Sequence, residues 1–280
     1  MSSSFSAEGI FELTVDSPRI AAATRPGQFV HVRVTGPSVQ FLRMPFAVCD
    51  VGFGPDAGRG SEAGRDSDAG RVSDGGRALD GTPQFIELCV QVVGAGTAQL
   101  SELRPGDFLD VMGPIGTGWS VPAGTARALL VGGGVGTPAL NLLARSLADA
   151  GISADAVIGA QTAQKLCLTE RISEILAPVG GTLHITTDDG TAGTHGFVTA
   201  VTDDLVASGA YGYVAVCGPE PMMRSVAVSA IDAGIACQVS AERLMACGVG
   251  ACLSCVIETT SGKRRCCVDG PVFDAREVVW

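Results

Sequence analysis

The chain has 280 residues, 46% of them hydrophobic, enough for roughly one large domain or two to three smaller ones with buried cores. A formal charge of −10 argues against a nonspecific nucleic-acid binder and a polybasic membrane anchor, since both need a basic surface. The first residues show no basic stretch leading into an apolar run, so the ten cysteines are expected in a reducing cytoplasm, as free thiols or metal ligands.

In chain order, the first 120 or so residues are rich in short β-type runs: "IFELTV", "QFVHVRV", "FLRMPFAVC", "QFIELCVQVV" and "DFLDVM". Turns such as "RPGQ" and "RPGD" punctuate them, which predicts a small antiparallel barrel or sandwich. Residues 52–82 interrupt the pattern with a glycine–arginine pair recurring every six residues, at Arg59, Arg65, Arg71 and Arg77. The segment has almost no apolar side chains to face a core and reads as a disordered insertion. Its acidic residues outweigh the arginines, against a nucleic-acid role.

From Arg127 the pattern becomes strand–helix alternation: "RALLVGGG", "TPALNLLARSLADAG", "ADAVIGA", "TERISEILAP", "TLHITTDD", "GFVTAVTDDLVASG", "YGYVAVCG" and "PEPMMRSVAVSAIDAG", with a last strand "IACQVSAE". Such alternation predicts a parallel sheet with helices on both faces. The apolar stretch Ala126–Ala144 is broken by glycines and by Pro138, so it reads as strand, turn and helix and not as a membrane span. Three units follow: an N-terminal barrel (1–124), a doubly wound α/β domain (125–238) and a cysteine-rich segment (239–280).

Two strand-to-helix turns are candidate nucleotide sites. "VGGGVGTPAL" carries Gly132, Gly133, Gly134, Gly136 and Thr137 where backbone N–H groups and a helix start could receive a diphosphate; a tight structural turn would look the same. "VAVCGPEPMM" places Cys217, Gly218 and Pro219 at a second such turn, where Cys217 is either near a ligand or a small core residue. The strand "VIGAQT" ends without the acidic residue that usually holds the ribose of a Rossmann ligand. In the first unit, Arg43 offers one guanidinium in an apolar strand, suited to a phosphate or to solvent.

The cysteines are the sharpest signal. Cys247, Cys252 and Cys255 have the C-x4-C-x2-C spacing of a plant-type [2Fe–2S] site, and Cys266 and Cys267 follow as candidates for the fourth ligand. Zinc is the chemical rival, but "RRCC" is not the second short-spaced knuckle that structural zinc sites use. Gly248 and Gly250 would let the loop wrap a cluster and aim N–H groups at sulfur.

Taken together, "LRMPFAV", "GPIGTGW", "GGGVGTPAL", "CGPEPMM" and "ERLMACGVGACLSC…CVDGPVFDAREVVW" resemble the electron-transfer subunits of NAD-linked (class 1B) dihydroorotate dehydrogenases, in the ferredoxin reductase superfamily. The resemblance covers nearly the whole chain outside the insertion. It implies FAD on the barrel, NAD on the α/β domain, one [2Fe–2S] cluster at the C-terminus, and an FMN-containing catalytic subunit as partner in a heterotetramer. In such enzymes electrons pass from dihydroorotate to FMN, the cluster, FAD and NAD⁺. Arg43 then matches the arginine of the FAD diphosphate, and Met44, Pro45, Phe46, Ala47 and Val48 the strand beside the isoalloxazine, with Ala47 where serine is usual. Gly94, Gly96 and Thr97 match a second FAD segment, without the tyrosine that usually precedes it. The offset from "DGPVF" points to Cys267 as fourth ligand, with Cys266 as the fallback. His31, His184 and His195 are scattered and read as structural. A reductase subunit serving another redox partner, and a flavin-free zinc-stabilised binding protein, are the alternatives.

Overall fold

A computed structural model describes residues 2–36, 41–52 and 82–280. The arginine-repeat insertion lies outside the described residues, apart from Gly52 and Thr82 at its ends.

The first unit contains β1 (Ser2–Ala7), β2 (Ile10–Asp16), α1 (Pro18–Ala23), β3 (Phe29–Val34), β4 (Met44–Gly52), β5 (Phe85–Gln91), α2 (Ala95–Ser101) and β6 (Leu109–Ile115). Its strands form one antiparallel sheet in the order β1-β2-β5-β4-β3-β6. Alternation decides which face is inside: Val30 and Val32 of β3 join Phe11, Leu13, Ile86 and Leu88 in the barrel core. Phe29 and His31, between them in sequence, face the other way. The run "FLRMPFAVC" becomes strand only from Met44, and "DFLDVM" only from Leu109, so Arg43 enters β4 from a loop. The short helices α1 and α2 and the strand β1 were not legible as periodic runs.

The second unit follows the predicted alternation: β7 (Arg127–Gly133), α3 (Pro138–Asp149), β8 (Ser153–Ala160), α4 (Thr169–Leu176), β9 (Leu183–Thr187), β10 (Thr194–His195), α5 (Thr199–Ala207), β11 (Tyr213–Cys217), α6 (Glu220–Asp232) and β12 (Ala236–Ser240). The sheet order is β10-β9-β8-β7-β11-β12-β15, where β15 (Val272–Asp274) is a strand of the C-terminal segment. All its pairings are parallel except β12 with β15, which is antiparallel. A β7–β8/β7–β11 reversal of direction in strand order opens a crevice at the C-terminal ends of these strands, the place where ligands of doubly wound sheets bind. The C-terminal segment also forms a hairpin, β13 (Val256–Thr259) with β14 (Gly262–Arg265). Among the described residues no helix is long and apolar enough to cross a membrane.

The units share cores. Ile10, Cys49 and Cys89 of the barrel pack with Leu140, Leu143 and Leu168 of the α/β unit. Around that core, Asp50 of β4 pairs with Arg145 of α3, and Arg171 of α4 bridges Glu12 and Glu87. Phe29 and Ile115 of the barrel pack with Met245, Cys255, Cys266, Cys267 and Phe273. The barrel is therefore gripped by the α/β unit at one place and by the cysteine segment at another.

The far end of the parallel sheet is pinned by Asp155. Its carboxylate accepts two hydrogen bonds from Arg127, one from Tyr211 and one from the Thr182 N–H. Burial pushes its pKa up, but these donors outweigh it and hold the group below the usual carboxylate range. A depressed carboxylate contributes stability that is present above its ordinary pKa and is lost as pH falls through the folded value. Asp155→Asn should therefore cost about 2 kcal/mol near neutral pH, the scale of hydrogen bonds to a charged group. In urea titrations against pH, the gap between the two proteins should close in acid; parallel acid profiles would show that Asp155 does not supply the term.

Candidate cofactor sites

β4 has two different halves. Met44 to Ala47 pair with β3, in the register Val32↔Met44, His31↔Pro45, Val30↔Phe46 and Phe29↔Ala47. β5 joins only from Val48. Among the described residues the Met44–Ala47 stretch thus has a strand on one side alone, a position that tolerates Pro45 and leaves backbone free for a ligand. Arg43 and the side chains from Met44 to Ala47 are half-buried. The Arg43 guanidinium is not free: it donates to the carbonyl of Asp110 at 3.0 Å and pairs with the Asp110 carboxylate, which also holds Arg33. Hydrogen bonding from Arg43 holds Asp110 below its ordinary pKa. A diphosphate arriving at Arg43 has to share it with Asp110 or displace that carboxylate.

The second predicted FAD segment forms the start of α2. Thr97 Oγ1 accepts from the N–H groups of Val93 and Gly94, at 2.9 and 3.1 Å, and so closes the helix start. Gly96 and Thr97 are buried, whereas Gly94 is exposed with open space where a Cβ would sit.

The two predicted nucleotide turns come together at the crevice. A Cβ on Gly136 would collide with the Cys217 carbonyl, and one on Gly133 would lie 2.5 Å from Met222 Sδ and 3.0 Å from Pro219 Cδ. One on Gly218 would lie 3.1 Å from Gly133 Cα, and one on Gly132 2.8 Å from Thr137 Oγ1. Most of these glycines therefore serve the packing of turn against turn. Gly134 differs: its φ is +52° and nothing lies within 4 Å of its missing Cβ, so it presents bare backbone to the crevice. Thr137 is fully buried and its Oγ1 makes no hydrogen bond of normal geometry, although the Cys167 thiol lies beside it. Cys217 ends β11 with its thiol turned to the Ser240 carbonyl at 3.9 Å, and burial pushes its pKa up to about 12. The open space at Gly134 and the helix start that follows it fit a nucleotide at this turn.

At the C-terminal segment, Cys247 Sγ accepts from the N–H groups of Val249 and Cys252, both at 3.4 Å. Cys252 Sγ lies 3.1 Å from Ser254 Oγ, whose hydrogen bonds lower the Cys252 pKa to about 6 with a further contribution from Cys247. Cys267 shares a hydrogen bond with Cys255, takes one from the Gly250 N–H, and feels the charge of Cys247; burial first, then Cys255, push its pKa up to about 11. Contacts thus join Cys252 to Cys247 and Cys267 to Cys255, and the charge of Cys247 reaches Cys267. Cys266 stands differently. Its N–H donates to the Cys255 carbonyl across the hairpin base, at 2.9 Å, and burial pushes its pKa up to about 12. Arg265 ties the hairpin to the loop through Asp269 and the Gly250 carbonyl. Among the described residues no three His, Cys, Asp or Glu side chains converge as a single-ion site; a [2Fe–2S] cluster takes two cysteines per iron and does not ask for three. The donor set, four neighbouring thiols with backbone N–H groups aimed at them, fits such a cluster.

The chain matches the family model described as the iron-sulfur cluster binding domain of dihydroorotate dehydrogenase B over residues 242–279, and the oxidoreductase NAD-binding domain over residues 130–228. A dihydroorotate dehydrogenase B (NAD(+)) electron transfer subunit from a Geobacillus species is 35% identical over 279 residues, covering 98% of this chain and 94% of the relative. The chain belongs to this family. The corresponding Bacillus caldolyticus subunit is 34% identical over 279 residues, with the same coverage of 98% and 94%. A solved NADH-dependent reduced ferredoxin-NADP oxidoreductase, described for flavin-based electron bifurcation, superposes with a TM-score of 0.80 at 30% identity, over 100% of this chain and 88% of that one. The ferredoxin reductase of carbazole 1,9a-dioxygenase shares the fold alone, with a TM-score of 0.61 at 18% identity over 84% of this chain and 64% of that one.

The surroundings of four polar residues at these sites were not legible in the sequence. Asp110, which holds Arg43, comes from a strand 67 positions away and carries no motif. Asp188 and Asp189 of "TDDG" donate backbone N–H groups to the carbonyls of Ala160 and Gln161, so acidic residues lie beside the end of β8 although β8 itself brings none. His31 is fully buried against the cysteine loop, and only its place on the outward face of β3 could have signalled that.

The turn packing is open to a paired test. Gly136→Ala should cost about 1–3 kcal/mol by overpacking and lower the melting temperature. Gly134→Ala should cost about 1 kcal/mol for its left-handed backbone while weakening NADH binding more than its stability loss explains. Melting curves and NADH titrations of both variants check this, and equal melting temperatures would count against the packing role of Gly136.

Proposed function

We propose that this chain is the electron-transfer subunit of an NAD-linked dihydroorotate dehydrogenase in pyrimidine biosynthesis, working with an FMN-containing catalytic subunit in a heterotetramer of two subunit types. The observation that carries the reading is the cysteine segment seated on the barrel, with Cys255 and Cys267 packed against Phe29 and Ile115, in a chain that matches the family over 98% of its length. FAD, when bound, supplies the exchange between hydride and single electrons that a nicotinamide and an iron–sulfur cluster cannot make directly. The chain's own residues hold and orient. In this reading Cys247, Cys252, Cys255 and Cys267 ligate the cluster, because Cys267 is the member of the final pair that shares a hydrogen bond with Cys255, takes one from the Gly250 N–H and feels the charge of Cys247. Cys266 packs in the core beneath. Arg43 and the open half of β4, with Pro45, Phe46 and Ala47, hold FAD, with Gly94 beside a second part of it. The Gly134 backbone, Thr137, and the Cys217–Pro219 turn receive NAD. Ala47 removes a side-chain hydroxyl from the flavin's surroundings and leaves backbone N–H groups to serve there.

The apolar rim of the cysteine loop supports a partner at that end: Leu244, Val249 and Leu253 are exposed by 90%, 61% and 60%. Dihydroorotate itself would be bound by the catalytic subunit. A second reading is favoured by the 30% identity, across the whole chain, to a ferredoxin-NADP oxidoreductase: the same cofactors serving another redox partner.

The first experiment is a cofactor census on anaerobically purified protein. Two irons, two labile sulfides and one FAD per chain are expected; zinc without sulfide or flavin would overturn the electron-carrier reading. The isolated chain should pass electrons from NADH to a dye and show no oxidation of dihydroorotate. Co-purification with an FMN protein separates the first reading from the second. Cys267→Ser should lose the cluster's visible and EPR signals while Cys266→Ser keeps them, and the reverse pattern would move the fourth ligand to Cys266.

A further inference from the structure

His31 has no part in the sites as assigned above, yet it lies between two of them. It sits on β3 directly across from Pro45 of β4, and cross-strand partners share a face of the sheet. On its other side β3 pairs His31 with Met112 of β6. From above, the cysteine loop closes over it: a Cβ on Gly248 would lie 2.6 Å from His31 Nδ1 and 2.9 Å from Met112 Cε. Gly248 follows Cys247 immediately, and its φ of +69° turns the loop at that point. The imidazole is 0% exposed, and neither ring nitrogen makes a hydrogen bond of normal geometry. Burial, and then the Arg43 guanidinium, hold the ring's pKa below its ordinary value, against the nearby Arg43 carbonyl. A buried ring with no good partner is costly, and such groups in folded proteins are satisfied by something. Nothing apolar about the position requires histidine: Phe29, two residues earlier on the same face, packs the same cysteine segment with carbon alone.

We propose that His31 is a positioning residue at the junction of flavin strand and cluster loop, donating a ring N–H to sulfur of the [2Fe–2S] cluster. The inference rests on the cluster reading of the preceding section. The ring's place follows from the fold: β3 carries it, Pro45 backs it on the flavin side, and the Gly248 turn admits it on the cluster side. Hydrogen bonds to cluster sulfur stabilise the reduced, more negative state and raise the potential.

Histidine labelling gives a direct readout, because the chain has three histidines. His184 and His195 lie on β9 and β10, at the opposite edge of the seven-stranded sheet from β15 and the cysteine segment. Pulsed EPR on the reduced, ¹⁵N-histidine-labelled holoprotein should show a nitrogen coupling on the cluster signal that vanishes in His31→Gln. Redox titration should find the cluster potential lowered in His31→Leu and largely restored in His31→Gln, which keeps an N–H donor, with the flavin potential unchanged in both. If His31→Leu does not fold, the label and the Gln variant still decide. A wild-type protein with two irons and two sulfides but no histidine coupling would overturn this inference alone. A coupling on the reduced flavin in place of the cluster would overturn it equally. Wild-type protein without iron or sulfide would overturn the cluster reading beneath it.

Discussion

The structure depends on one seating: the cysteine segment packs on the outward face of β3. Strand alternation leaves Phe29 and His31 facing out while Val30 and Val32 fill the barrel. That outward face would be a solvated apolar patch without the segment, and the segment, with no helix and only short strands, has no core without the face. Each completes the other. Gly116 and Thr117, just after β6, meet Gly270 and Pro271 to fasten the same joint, so the contact is held at both ends. Since β4 is the neighbour of β3, whatever binds to its open half is fixed in relation to the loop. For a carrier of electrons, a fixed and short separation between redox groups is the main thing a protein can supply.

The second constraint is the packing of one glycine turn on another. Gly133 and Gly136 of the β7 turn fit against Pro219, Met222 and the Cys217 carbonyl of the β11 turn. Only Gly134 remains turned outward. A glycine-rich strand–helix turn is usually read as a phosphate cradle; here most of its glycines pack turn against turn, and one faces open space.

Strong periodicity was easy to read. β7, β8, β9, β11 and β12, and α3 to α6, stand where alternation and the Pro138 start placed them, because each has an apolar face buried in the sheet or on it; the two-residue β10, exposed at the sheet edge, had no such signal. The C-x4-C-x2-C spacing was legible because a cluster demands it locally. What escaped were features made by distance. Asp110 neutralises Arg43 from another strand, and no local pattern announces such a pair. Six- and seven-residue helices such as α1 and α2 are too short to show a period. The strand β15 is three residues long, and only the edge of β12 makes it a strand at all. His31 read as structural because the three histidines are scattered along the chain; its surroundings come from Gly248, more than two hundred residues later.

The strand β15 has a consequence for how the protein is made. It adds to the edge of the α/β sheet after the hairpin and the final cysteine pair have been synthesised, and the loop it helps to hold lands on a strand from the first forty residues. The cysteine site therefore joins the earliest and the latest parts of the chain. On a ribosome the barrel and the sheet can form in order, but the cysteine segment is seated only after residues 29–34 and 272–274 have both been made. Cluster loading in this way follows the folding of the barrel and the sheet, and it reports on both as well as on the cysteine segment.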